Sequence, residues 1–258
     1  MNNKLAEYDG VPGDRGMELE EHLIELGRRF LWVFAIVAVI TLAAYPISGK
    51  LIAQMKADFV PPNINIIALN PVEVVFTQIK IAITLSLIVG APLIVYETFA
   101  FMRPGLYPSE RRFYVGIVPA SLVLFLLGGA ISYRFLIGPL SKALIGASTS
   151  TTTPLLVLSR FIDFVSFMLV TVGTIFQVPL VIHLLVKMEL VEPTFLREKR
   201  RIIYALMFGV VTIFNPDPTM ATPLVITAGF ILLYEVSIRL FAREKKTDVT
   251  WNEKEKDT

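Results

Sequence analysis

Long apolar runs closed by charged or proline-rich punctuation dominate the chain. Six of them are free of Asp, Glu, Lys and Arg: Phe30 to Ile47 (18 residues), Ile81 to Tyr96 (16, extendable back to Val72), Phe113 to Tyr133 (21), Phe164 to Val186 (23), Ile202 to Phe214 (13) and Thr222 to Tyr234 (13). A charge at the centre of a spanning helix costs roughly 2.5 to 3.5 kcal/mol, so uninterrupted apolar runs are the primary sign of membrane spans. A span takes about 20 residues at 1.5 Å each, and the first four runs reach that length once their flanks are included. The last two are short. A 13-residue helix rises only about 20 Å against a hydrocarbon core of about 30 Å. Their connector, NPDPTMA, is too tight and too rich in proline to hold a domain. The pattern therefore predicts a helical hairpin that crosses thinned bilayer or is lengthened by polar flanks, with a re-entrant pair as the alternative.

Ahead of the first run, Leu19, Leu23, Leu26 and Phe30 fall at i, i+4, i+7 and i+11, one stripe of a helix whose other faces carry Glu18, Glu20, Glu21, Glu25, Arg28 and Arg29. This predicts an amphipathic helix at the membrane surface. The expected organisation is one transmembrane domain over residues 1–258, with an amphipathic N-terminal segment (1–29) and a polar tail (242–258) whose end, WNEKEKDT, is expected to be disordered.

Composition agrees with the pattern. Apolar side chains make up 54% and charged ones 18%, with a mean hydropathy of +0.64, beyond the range of an ordinary soluble domain. A net charge of +2 gives no argument for nucleic acid, and the absence of cysteine excludes disulfides, thiol nucleophiles and thiolate metal sites. No apolar segment with a small-residue cleavage site precedes the first run, so no removable signal peptide is expected. Basic residues are segregated. Lys4, Arg15, Arg28, Arg29, Arg103, Arg111, Arg112, Lys187, Arg197, Lys199, Arg200, Arg201, Arg243, Lys245, Lys246, Lys254 and Lys256 fall on one side of the predicted spans, against Lys50, Lys56, Arg134, Lys142 and Arg160 on the other. The positive-inside rule then puts both termini in the cytoplasm.

Candidate chemistry is sparse. There is no phosphate loop or HExxH, and His22 and His183 have no triad or ligand spacing, so neither an enzyme nor a metal or cofactor site is expected. The informative residues are acids in odd places. Glu25 lies just before the first span, and Glu110 sits in FMRPGLYPSERRF beside Arg111, where an acid weakens the basic topology signal. One reading gives each a local ion pair with a neighbouring arginine; the other makes the two carboxylates an acceptor for cationic groups of a partner. Gln177, followed by Pro179, puts an amide and a helix break in the fourth run. It reads either as a polar joint between helices or as a polar spot in a concave groove open to lipid, and the short fifth and sixth spans point to the groove. Lys80 and Asp163 lie near the outer ends of their helices, where they can snorkel, and Glu97 and Glu235 near the inner ends; these read as structural. Asp217 reads as a cap of the NPDP turn. A solute transporter or channel with Gln177, Lys80 and Asp163 along its path is the rival functional class, although a pathway would gather more polar groups at mid-depth.

Several segments together resemble one family. HLIELGRR before the first span, FAFMRPGLYPSERR between the second and third, FQVP in the fourth, and NPDP followed by LLYE at the last hairpin look like TatC, the multispanning receptor of the twin-arginine translocase, from Glu18 to Phe241. The resemblance implies an all-α membrane fold of six helices in a concave, glove-like arrangement with short fifth and sixth helices. It also implies a receptor that binds the paired arginines of a folded cargo's signal peptide through Glu25 and Glu110. Phe99, Phe101, Pro104, Leu106 and Tyr107 would stiffen the loop and offer an apolar surface. The implied partners are twin-arginine signal peptides, single-span subunits of the TatA and TatB type, the bilayer and other copies of the chain, with the proton-motive force as energy source. The chain departs from the family at Gln177, where Glu is frequent, at Gly27, where a basic residue is usual, and at Ala221, where Gln is usual.

Overall fold

The computed structural model describes residues 19–102, 113–149, 155–187, 191–216 and 219–256. The helices in chain order are α1 (Leu19–Phe59), α2 (Pro71–Met102), α3 (Phe113–Ile131), α4 (Gly138–Thr149), α5 (Leu158–Ile175), α6 (Val178–Lys187), α7 (Pro193–Phe214) and α8 (Ala221–Lys256). A π-helical turn, Ser132–Ile137, carries α3 into α4, and two short strands, β1 (Ile66–Ile67) and β2 (Leu156–Val157), pair in parallel. The fold is that of an all-α membrane protein. Among the described residues five helical units are long and apolar enough to cross a bilayer: Leu23–Phe59, Pro71–Thr98, Gly116–Gly146, Leu158–Lys187 and Ala221–Leu240. The fifth run forms the second half of α7, whose first half carries Arg197, Lys199, Arg200 and Arg201, so this helix does not reach the length of an apolar span.

Three local outcomes depart from the sequence pattern. The amphipathic stripe does not form a separate surface helix but continues into the first span as one 41-residue helix, α1, because only the isolated Gly27 interrupts its lead-in, at a cost of about 1 kcal/mol relative to Ala. Helix α8 runs through the polar tail to Lys256 instead of giving way to disorder; no proline or glycine follows Gly229 before that residue. The third run does not stop at Tyr133, since the π-helical turn and α4 prolong the helix to Thr149. The break read in the fourth run is present: Pro179 cannot donate to the Ile175 carbonyl, and the helix divides into α5 and α6. At the break Phe176 N donates to Val172 O (3.1 Å) and Gln177 N to Thr174 O (2.9 Å), and α6 restarts with Val181 N on Gln177 O (2.9 Å).

Helix α5 is the centre of the packing, with Ile162, Val165 and Met168 fully buried against α2 and α3. Two glycines bring α3 and α5 together. A methyl group on Gly128 would lie 2.8 Å from Cγ of Phe176, and one on Gly173 would lie 2.6 Å from Cε1 of Phe125, so each helix receives an aromatic ring of the other where it has no side chain. Helix α1 packs on α2 and otherwise faces outward; only 6% of its most apolar stretch is buried within the protein, against 39% for the α5–α6 unit. That outward face, with Phe34, Val39 and Leu42, is a surface for lipid.

The bundle has two unlike ends. At one, which we call the strand-capped end, β1 and β2 pair and Glu73 ties two helix starts together. Asn70 Oδ1 accepts from Glu73 N (2.7 Å), while the Glu73 carboxylate accepts from Leu69 N (2.6 Å) and, across the bundle, from Ser159 N at the start of α5 (2.9 Å). Next to it Lys80 Nζ donates to Asp163 Oδ1 (2.6 Å), so these residues pair with each other instead of snorkelling separately. Tyr133 donates to Asp58, and its ring stands edge-on to Phe59 at 4.7 Å. The opposite end holds the start of α1, the end of α2 and the last part of α8; we call it the terminal end. There Glu235 of α8 accepts from Tyr204 (2.7 Å) and Arg200 (3.4 Å) of α7, and Tyr234 donates to the Leu196 carbonyl (3.0 Å).

Candidate functional site

At the terminal end one arginine joins two helices. Glu25 and Arg29 stand one turn apart on α1, the i, i+4 spacing that places both on one face. Arg29 Nε and Nη2 both donate to Glu25 Oε1 (2.9 and 2.5 Å), and Nη1 donates to Glu97 Oε2 near the end of α2 (2.7 Å). The three side chains are 21 to 27% exposed. Two carboxylates thus share one guanidinium, leaving a net negative charge in a partly shielded position. Glu25 Oε2 is buried and accepts no hydrogen bond among the described residues, so this carboxylate keeps a spare acceptor. A cavity of about 360 Å³ opens beside the pair between α1 and α2, lined by Leu26, Phe30, Phe34, Val37, Leu87 and Ile94, with Arg29 and Glu97 at its polar edge.

This arrangement can hold a guanidinium. Arginine presents a planar fork of donors that meets carboxylate oxygens along fixed directions, whereas lysine is a point charge with no such geometry. Arg29 shows that Glu25 and Glu97 are spaced to take such a fork from both sides. An apolar slot next to the carboxylates suits a basic peptide whose arginines are followed by apolar residues.

The expected site residues fare differently. Glu25 lies in the cluster, and the ion pair with a nearby arginine is present. Glu110, Pro104, Leu106 and Tyr107, with Arg103, Arg111 and Arg112, lie outside the described residues, in the connector between α2 and α3, as does Asp217 in the NPDP turn. Phe99 belongs to α2, as does Phe101, but neither side chain is among those described. Gln177 does not line a groove: it is 8% exposed, and its Nε2 donates to the Ser121 carbonyl of α3 at 2.8 Å. The break made by Pro179 turns the amide inward, and it acts as the polar joint between α3 and the α5–α6 unit, its Oε1 accepting no hydrogen bond among the described residues. Glu97 is the residue that sequence reasoning undervalued. Its signal was available, since it is an acid at an inner helix end beside a basic loop, the same anomaly that singles out Glu110; its approach to Arg29 across 68 positions was not.

Comparison with known proteins places these features in a family. The model of the Sec-independent protein translocase protein TatC matches residues 21–228. The TatC protein of Methanocella arvoryzae is 37% identical over 235 residues, covering 91% of this chain and 98% of that protein. That of Aquifex aeolicus is 31% identical over 240 residues, covering 89% and 98%. A crystal structure of the twin-arginine translocase receptor TatC superposes with a TM-score of 0.77 at 28% identity, covering 86% of this chain and 98% of that one. With a family match across most of its length and relatives this similar end to end, the chain belongs to the TatC family of Sec-independent protein translocase components.

Proposed function

We propose that this chain is the core receptor of a twin-arginine translocase, which binds the signal peptides of folded proteins and organises their export across the cell membrane. The observation that carries the reading is the Arg29 guanidinium held between Glu25 and Glu97 at the edge of an apolar slot, in a chain of this family. An incoming pair of arginines would use the same carboxylates, the spare Oε2 of Glu25 and the carboxylate of Glu110, whose connector follows the helix that bears Glu97. Phe99, Pro104, Leu106 and Tyr107 would flank the peptide. The basic residues gathered at the predicted inner ends support cytoplasmic termini, and α7 with its polar flank would be the sixth crossing. Single-span subunits of the TatA and TatB type and further copies of the chain are the expected partners, with the proton-motive force as the energy source. The role is transport rather than catalysis.

The direct test is Glu110→Gln. Gln keeps the shape and an acceptor oxygen but loses the charge, and a hydrogen bond to a charged group is worth about 1.5 to 3 kcal/mol against about 1 for a neutral one. The variant should lose export of twin-arginine cargo while remaining at normal abundance in the membrane, since Arg103, Arg111 and Arg112 still set topology. Normal export together with normal signal-peptide binding would reduce Glu110 to a local partner of its arginine neighbours.

A further inference from the structure

A second cavity, of about 580 Å³, lies at the strand-capped end between α4, β2, the start of α5 and the turn after α7. Its walls include Leu144, Ile145, Phe161 and Phe164, and its polar lining includes Arg160 and Ser141. Two features ask for a ligand. Arg160 is exposed and makes no ion pair or hydrogen bond among the described residues. Ser141 is 5% exposed, lines the cavity, and its buried Oγ has no hydrogen-bond partner among the described residues. A buried hydroxyl without a partner is costly, and native structures rarely leave one so.

The polarity of the cavity is graded. Arg160 is the third residue of α5, near the helix end where membrane headgroups lie, and Phe164 is one turn, about 6 Å, farther along the helix. A cation at the mouth with aromatic and aliphatic walls beneath is the complement of an amphiphile with an anionic head. The volume falls within the range of about 300 to 1,000 Å³ usual for small-molecule pockets. A transmembrane helix is a poor fit, because one turn of a 10 Å wide helix already fills about 420 Å³. We propose that this cavity seats one chain of an anionic phospholipid, whose phosphate accepts from the Arg160 guanidinium while Ser141 donates to a phosphate or glycerol oxygen. The site lies at the far end of the bundle from the carboxylate cluster and does not depend on the reading of that cluster.

The test uses the full chain reconstituted in phosphatidylcholine bilayers with a trace of phosphatidylglycerol that carries a photoreactive group near the end of one chain. Labelling should concentrate on the peptides bearing Leu144–Ile145 and Phe161–Phe164. A phosphatidylcholine probe with the same chain should label them several-fold less, because its choline cation offsets the phosphate charge that the Arg160 guanidinium would answer. Arg160→Gln should lower phosphatidylglycerol labelling by a similar factor, Arg160→Lys should retain most of it, and Ile145→Trp should expel the chain. Melting temperatures of the variants separate loss of the site from loss of the fold, and the comparison of two probes on the unaltered protein needs no variant at all. Labelling spread evenly over lipid-facing α1, equal labelling by both probes, or capture of a protein segment in place of lipid would each overturn the proposal.

Discussion

The Glu73 region at one end of the bundle and the Glu25–Arg29–Glu97 cluster at the other hold their charges in different ways. At the strand-capped end every charged group that ties helices is answered within the protein: Glu73 caps α2 and reaches the first turn of α5, Lys80 meets Asp163, and Asp58 accepts from Tyr133. At the terminal end Glu25 and Glu97 share a single arginine, one buried carboxylate oxygen is unpaired among the described residues, and an apolar slot opens beside them. Carboxylates committed to backbone N–H groups are fixed by the helices they cap. Carboxylates shared around one side chain can exchange it for another of the same kind. On the proposed function the first end is a clamp and the second a receptor, so the stability of the protein should depend on the first and its recognition on the second.

The contrast predicts a graded series in thermal stability. Glu73→Ala should give the largest fall in melting temperature, because it strips an acceptor from the starts of both α2 and α5. Gly128→Ala should come next, at about 1 to 3 kcal/mol, since the new methyl meets the Cβ and Cγ of Phe176, which lie close to its backbone and cannot swing away. Gly173→Ala should cost less, because it meets the far edge of the Phe125 ring. Replacing either Lys80 or Asp163 alone by Met should cost about 1 kcal/mol, since the pair is partly exposed, and a double-mutant cycle would show the coupling. Glu25→Gln and Glu97→Gln should move the melting temperature least, within about 1 kcal/mol in stability, as expected of partly exposed ion pairs. If these two proved as damaging as Glu73→Ala, the division between clamp and receptor would fail.

Most of the fold was legible because charge is so costly in hydrocarbon. The runs from Phe30, Ile81, Phe113, Phe164 and Thr222 became spans, and the Gln177–Pro179 break appeared where proline removes a donor. What was not legible depends on helix rotation and on partners far apart in the chain. Nothing local in the sequence tells that Lys80 faces Asp163 across 83 positions, or that Phe125 and Phe176 each fill the space left by a glycine of the facing helix. The inward turn of Gln177 was hidden for the same reason: a helix break shows where the chain bends but not which way the next side chain points. In the candidate site Glu25 was readable as an anomaly of charge, whereas Glu97 needed the contact between α1 and α2 to show that it answers the same arginine.

The most direct test of the receptor end is the binding of a signal peptide carrying paired arginines, compared with the same peptide carrying paired lysines, to the purified protein and to its Glu25→Gln and Glu97→Gln variants. The arginine peptide should bind the unaltered protein more tightly by about tenfold or more, the worth of one charge-assisted bond. Glu25→Gln should erase most of that preference, because Glu25 takes two of the three bonds to the resident guanidinium and holds the spare acceptor, and Glu97→Gln should erase part of it. A preference for arginine that survives both substitutions unchanged would contradict the account and leave Glu25, Arg29 and Glu97 as a strut between α1 and α2.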